Sequence, residues 1–107
     1  YFQENTKQLT MQLLLAIGLQ DNNKELLREY VRLAKAHLIF TPSIHVYDGL
    51  ASALHHLKKF DESHIVLARG LAIYPTTPAM LEARNRIMTL DREAGVFNRY
   101  WRKKPSS

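Results

Sequence analysis

The sequence predicts an all-α fold, because apolar residues recur at helical spacing along five segments and no segment alternates like a strand. Short links that contain helix-capping and helix-ending residues join these segments, which favours antiparallel neighbours. The chain has 107 residues, of which 46% are hydrophobic and 23% are charged, and it has no cysteine. This composition is typical of one globular domain. It excludes disulfides, cysteine-based zinc sites, iron–sulfur clusters and a thiol nucleophile.

The first helix is predicted to follow Glu4. Its apolar face carries Leu9, Leu13 and Ile17, which are spaced four residues apart. Gly18 and the polar residues that follow it predict the end of this helix and a turn.

The second and third helices are predicted over residues 24–40 and 44–58. Asn22 is positioned to cap the second helix, since an asparagine side chain accepts hydrogen bonds from the free amides of the first turn. Pro42 ends that helix, because the residue before a proline is pushed away from helical backbone angles. Ser43 is then the expected cap of the third helix.

The fourth helix is predicted over residues 62–74, with Asp61 as its cap. The fifth begins at Pro78 behind Thr77, since proline is favoured at the first helical position. Gly95 ends or bends this helix. A short apolar segment follows, and it consists of Val96, Phe97, Tyr100 and Trp101.

Residues 44–75 place small and large apolar side chains in a specific order. The positions that form this pattern are Tyr47, Leu50, Ala51, Leu54, Ser63, Leu67 and Pro75. This stretch resembles a tetratricopeptide repeat (TPR), whose pattern is W-x₂-L-G-x₂-Y, then A-x₃-F, then P. Tyrosine replaces the tryptophan, alanine the glycine and serine the alanine, while leucine replaces an aromatic residue twice. A generic helical hairpin with small residues at its crossing remains the alternative.

The small residues of this stretch have a physical role in either case. Ala51, Ser63 and Gly70 are expected to let two helix backbones approach closely, while Phe60 and the large residues named above fill the space beside them. The flanking units are degenerate, since the first turn comes early and Arg84 stands where the pattern has leucine. The resemblance implies a right-handed superhelical array of antiparallel helix pairs, with about five helices and a short C-terminal capping helix.

The resemblance also implies a concave groove lined by the first helix of each pair, in which a peptide or helix of another protein binds. The residues expected to line this partner groove are Gln12, His45, Asp48, Ser52, His55, Glu82 and Arg86. Gly49 is expected to leave room for a peptide backbone. The chain is therefore predicted to be an adaptor, scaffold or chaperone-like interaction module and not an enzyme. For any single one of these residues, an ordinary solvated helix face is the alternative.

The C-terminal end supports a second function of a different class. Seven basic and two acidic residues lie from Arg84 onward, whereas the chain before it has eight of each, so the net charge of +5 belongs to this end. The patch that combines charge with aromatic rings consists of Arg99, Tyr100, Trp101, Arg102, Lys103 and Lys104. Such a patch suits nucleic acid or an acidic partner. Alternatively, Tyr100 and Trp101 pack as the end cap while the basic residues keep the tail soluble.

No metal, cofactor or catalytic site is predicted. The five histidines are His37, His45, His55, His56 and His64. His55 and His56 are adjacent, so they point about 100° apart on a helix, and neither HExxH nor a carboxylate at zinc-site spacing accompanies them. His55 and His64 are able to meet across the third and fourth helices, but a surface or boundary role is the expected one.

The domain boundaries follow from these patterns. Residues 1–3 match the end of a protease-recognition tag, residues 4–98 form the helical domain and residues 99–107 form a basic tail. The chain is expected to be a fragment of a larger protein. The lack of cysteine fits an intracellular protein, and a cytoplasmic location is expected. No membrane insertion is expected, since the longest apolar run is far too short to cross a bilayer. Self-association through the exposed stretch 13–19 is a third possibility.

Overall fold

The computed structural model of the chain describes residues 2–101, with side-chain placement from residue 6 onward. In this range the fold is helical throughout, which confirms the predicted class. Its six helices are α1 (Phe2–Gln20), α2 (Lys24–Phe40), α3 (Ile44–His56), α4 (Phe60–Ile73), α5 (Pro78–Ala94) and α6 (Phe97–Tyr100). None of the helices in the described range is long and apolar enough to cross a membrane.

Each of the first four helices packs against the next along the chain, and α3 lies at the centre of the fold. Helix α3 contacts α1, α2, α4 and α5, so its side chains from Gly49 to His55 are all buried. Helix α6 packs against α5. The helices α1, α3 and α5 are therefore neighbours, with α2 and α4 packed between consecutive members of that row.

Small residues lie where α3 and α4 meet. Ala51 and Ser63 are fully buried, and the Ser63 hydroxyl donates a 2.7 Å hydrogen bond to the Ala51 carbonyl oxygen. A Cβ added at Gly70 would lie 3.1 Å from the Cβ of Tyr47. Since a side chain at 70 would meet the base of Tyr47, its absence allows the close approach of these two helices.

The helix ends agree with the sequence in part. Ser43 caps α3 by accepting from the Val46 amide, and Gly95 ends α5 with φ of 77°, a left-handed conformation that glycine adopts without strain. The cap of α2 is Asn23 and not Asn22: the Asn23 side chain accepts from the amides of the second and third helical residues. Asn22 instead adopts a φ of 52° in the turn, a conformation that asparagine tolerates.

Helix α4 begins earlier than predicted. Lys59 is its N-cap and makes no side-chain capping bond, so the prediction of Asp61 as the cap is wrong. Lys58 adopts a φ of 63° and turns the chain after α3, which allows helical geometry to begin at Phe60. Asp61 and Glu62 then lie in the first turn, where negative charge is favourable beside the helix dipole.

Candidate functional site

A groove of about 430 Å³ lies between α1 and α3 and reaches the edge of α5. We call it the α1–α3 groove. Its lining residues are Gln8, Met11, Gln12, Leu15, Leu19, Tyr30, His37, Ser43, His45, Val46, Asp48, Gly49, Ser52 and Arg86. Five of the seven residues expected in the partner groove are among them, and these are Gln12, His45, Asp48, Ser52 and Arg86.

The groove combines apolar and polar surface. Leu15 and Leu19 of α1 and Val46 of α3 are partly buried and pack against the core. Gln12 and His45 are exposed at its rim. A concavity with apolar walls and a few polar groups is suited to a ligand that has apolar side chains and polar backbone groups.

An ion pair connects the third and fifth helices at the edge of the groove. The Arg86 guanidinium donates to the Asp48 carboxylate, and the two side chains are 49% and 26% exposed. A pair this exposed contributes at most about 1 kcal/mol to stability. The ion pair holds the Arg86 side chain of α5 beside α3.

Tyr30 of α2 lies under the groove and is only 3% exposed. Burial raises the pKa of its hydroxyl well above the ordinary value, and the negative charge of Asp48 adds to the rise. A Cβ at position 49 would overlap the Tyr30 hydroxyl and lie 2.8 Å from Leu15 Cδ2. The expectation that Gly49 leaves room for a peptide backbone is therefore wrong, because Tyr30 and Leu15 occupy that space.

The raised pKa predicts a loss of stability at alkaline pH. Tyr30 stays protonated in the folded state, while in the unfolded chain it ionises near its ordinary pKa, so unfolding releases a proton above about pH 10. Between about pH 9 and about pH 11 this lowers the free energy of unfolding by about 1.4 kcal/mol. Urea unfolding of the wild type and of Tyr30→Phe at both pH values measures it. The variant should lose less stability than the wild type, and equal losses would contradict the assignment.

Two predicted groove residues lie elsewhere. His55 is 6% exposed and bonds to Asp91, so the expectation that it faces the groove is wrong. The reason is that α4 and α5 both pack against α3 and cover the turn that carries His55. Glu82 is exposed on α5 and does not line the groove.

A second polar site is centred on Asp91 of α5, which is fully buried. The Nε2 atom of His55 lies 2.7 Å from its Oδ1, and the Nε2 atom of His64 lies 2.7 Å from its Oδ2. Trp101 donates its Nε1–H to Oδ2 over 2.6 Å. A carboxylate that accepts both of these bonds requires a hydrogen on the Nε2 atom of each imidazole. This Asp91 cluster joins α3, α4, α5 and the residue after α6.

Neither the known protein families nor the curated proteins and solved structures compared with this chain give a match. The geometry of the two sites is therefore what bears on the function of this chain.

The aromatic residues near the C-terminus contact the rest of the fold. The Tyr100 ring stacks on His64 with centroids 3.8 Å apart, and its hydroxyl donates to the Asp61 carboxylate. Burial and the bond to Asp61 raise the pKa of the Tyr100 hydroxyl. Trp101 meets His64 edge to face. Both rings thus pack against the helical fold, which is the contact that the end-cap alternative expects of Tyr100 and Trp101.

These contacts bear on the nucleic-acid patch expected at the C-terminal end. Stacking of a base needs an aromatic face that is free, whereas one face of Tyr100 is covered by His64. The Trp101 indole N–H is already bonded to Asp91. Arg99 is exposed, and Arg102, Lys103 and Lys104 lie outside the described residues.

Among the residues that the structure describes, no group of three histidine, cysteine or acidic side chains is placed to hold a metal ion. His55 and His64 approach opposite oxygens of Asp91, which separates the two ring nitrogens. The three hydrogen bonds to Asp91 connect residues from separate parts of the fold.

Asp91 was not among the predicted site residues, although the sequence contains a signal for it. Asp91 continues the series Met80, Ala83 and Ile87 at spacings of three and four, and all four residues are buried. A carboxylate in the apolar stripe of a helix requires hydrogen-bond donors from elsewhere in the fold. The groove residues Tyr30 and His37, which α2 contributes, were also missed, because the expected groove was drawn from the first helix of each pair alone.

Proposed function

We propose that this chain is a TPR-type interaction module that binds a segment of another protein in the α1–α3 groove. The observation that carries the proposal is the convergence of Gln12, His45, Asp48, Ser52 and Arg86 on one groove with apolar walls. These residues come from three helices that are distant in sequence and adjacent in the fold.

The chemistry of the groove favours a short amphipathic segment as the ligand. A volume of about 430 Å³ accommodates a few side chains, not a folded domain. Leu15, Leu19 and Val46 offer apolar contact, while the exposed His45 and Gln12 offer hydrogen bonds at the rim. An amphipathic peptide or helix presents apolar and polar side chains in this manner. The chain would then act as an adaptor or scaffold within a larger assembly.

The test begins with a displayed library of random twelve-residue peptides selected against the whole chain. Synthetic peptides from the selection are titrated by calorimetry into the wild type and into Val46→Lys, which places a charge against the apolar wall of the groove. We expect the dissociation constant to rise at least about tenfold for the variant. The matched control is Ile73→Lys, a similar change on the exposed surface of α4.

Nuclear magnetic resonance separates the groove from other surfaces. Amide shifts caused by a selected peptide should cluster around Gln12, Val46 and Ser52. The proposal is wrong if the peptides bind both variants as tightly as the wild type, or if the shifts cluster on another face. Circular dichroism of each variant checks that the helices are retained.

A further inference from the structure

The outer face of α1 carries an exposed apolar ridge. Leu9, Leu13 and Ile17 are 59%, 59% and 43% exposed, and they are spaced four residues apart along one side of the helix. We call these three residues the α1 ridge. The groove is lined by other positions of α1, including Gln12 and Leu15, so the ridge is a separate surface.

The α1 ridge lies in a segment without charge. No charged residue occurs between Lys7 and Asp21, on any side of the helix. The exposed side of α2, in contrast, carries Arg28, Arg32 and Lys35. Surface helices of globular proteins typically turn charged or polar residues toward water and their apolar stripe toward other protein surface, so an exposed apolar stripe departs from that pattern. The α1 ridge therefore has the character of a contact surface.

The part of the fold around α6 differs from the α1 side, and the difference bears on what covers the ridge. At the C-terminal end, α6 closes the array: Phe97 and Trp101 stack with centroids 6.4 Å apart, and Trp101 is fixed to Asp91. Arg92 lies over the Phe97 ring. Among the described residues near that end, these rings are engaged within the fold and offer α1 of another copy no free apolar ridge. The other strongly exposed large apolar residues of the described chain do not form a series at spacings of four; they are Ile39, Phe40, Ile65 and Ile73. The matching surface for the α1 ridge is therefore the same ridge of another copy.

We propose that a second copy of this chain covers the α1 ridge, with the two α1 helices antiparallel and Leu13 on the two-fold axis. In this register Leu9 of one copy meets Ile17 of the other, and the two Leu13 side chains meet each other. Ridges formed by residues four apart are those that interdigitate in the commonest class of helix packing.

Charge at the ends of the segment favours the antiparallel orientation. A two-fold axis at Leu13 brings Lys7 of one copy within one helical turn, along the axis, of Asp21 of the other. A parallel pair would instead place Lys7 beside the Lys7 of the other copy, and Asp21 beside the Asp21 of the other copy. Like charges repel and opposite charges attract across such an interface.

The small size of the ridge sets the expected affinity. Stable interfaces bury about 800 Å² on each partner, and three partly exposed side chains cover less than that. The dimer is therefore expected to dissociate in the micromolar range, at about 10 to 100 μM. It leaves the groove residues on another face of α1.

Sedimentation velocity of the whole chain from about 5 to about 500 μM tests the proposal. The wild type should shift from monomer to dimer across this range. Leu13→Glu and Leu13→Lys should each have a dissociation constant at least about tenfold higher than the wild type, since two like charges then meet on the axis. An equimolar mixture of the two variants should regain the dimer, because opposite charges then face each other.

The control is Ile73→Glu, an equivalent change on α4, which should dimerise like the wild type. Thermal unfolding by circular dichroism checks the fold of each variant; if either Leu13 variant unfolds, Leu9→Glu mixed with Ile17→Lys replaces the pair. A wild type that is monomeric at about 500 μM overturns the proposal. A Leu13→Glu variant that dimerises as tightly as the wild type, or a mixture that dimerises no more tightly than either variant alone, also overturns it.

Discussion

Replacing Asp91 with alanine is expected to lower the free energy of unfolding by about 3 to 5 kcal/mol, a large part of the stability of a domain this size. The reason is that Asp91 accepts hydrogen bonds from His55, His64 and Trp101. Without the carboxylate, the N–H group of each partner is left without its acceptor in a site that is largely closed to water. Urea unfolding followed by circular dichroism measures the change.

Glu93→Ala is the matched control for this substitution. Glu93 belongs to the same helix and loses the same charge, but it is exposed, so its removal should change stability by less than about 0.5 kcal/mol. Because Trp101 is the only tryptophan, its fluorescence reports directly on the Asp91 cluster. The native emission of Asp91→Ala should shift to longer wavelength as the indole becomes solvated. Equal stability of the two variants would contradict a structural role of Asp91.

The second large effect is expected from Gly49→Ala. Alanine is favoured over glycine in a helix by about 1 kcal/mol, so a neutral site would be stabilised. Here the added Cβ would overlap the hydroxyl of the buried Tyr30, which has to move or leave its place. We therefore expect the substitution to lower the free energy of unfolding by about 2 kcal/mol.

A double-mutant cycle with Tyr30→Phe identifies the cause. Removing the hydroxyl removes the atom closest to the added Cβ, and the remaining close neighbour on α1 is the flexible end of Leu15. The cost of Gly49→Ala should then fall below about 1 kcal/mol in the Tyr30→Phe background. The same cost in both backgrounds would show that the hydroxyl is not what excludes a side chain at position 49.

Local signals in the sequence were sufficient for the helical class and for most helix ends. The bounds of α2 match the predicted range 24–40, since the turn before it and Pro42 after it act over a few residues. The start of α4 was predicted less well. Asp61 is a good capping residue, but Lys58 takes a left-handed conformation and the helix begins at Phe60. The capping preference of Asp61 and the left-handed turn at Lys58 favour different helix starts, and the structure has the start that follows Lys58.

The sites show how far local reasoning reaches. Five of the residues that the repeat resemblance assigned to a partner groove line the α1–α3 groove. The resemblance also assigned His55 to that groove, but α4 and α5 pack against α3 and His55 is buried. The Asp91 cluster joins residues separated by up to 46 positions, from His55 to Trp101. Their meeting depends on how α3, α4, α5 and α6 cross.

The helical class, most helix ends and the small residues inside the α3–α4 hairpin could be predicted from the amino-acid order alone. These features are consequences of backbone preferences and of apolar periodicity, which act between residues close in the chain. Three other features depend on how the helices pack: Tyr30 fills the space beside Gly49, α6 packs against α5, and Asp91 bonds to three side chains. Contacts between distant residues depend on the angles and offsets of packed helices, and those are settled by the whole core at once.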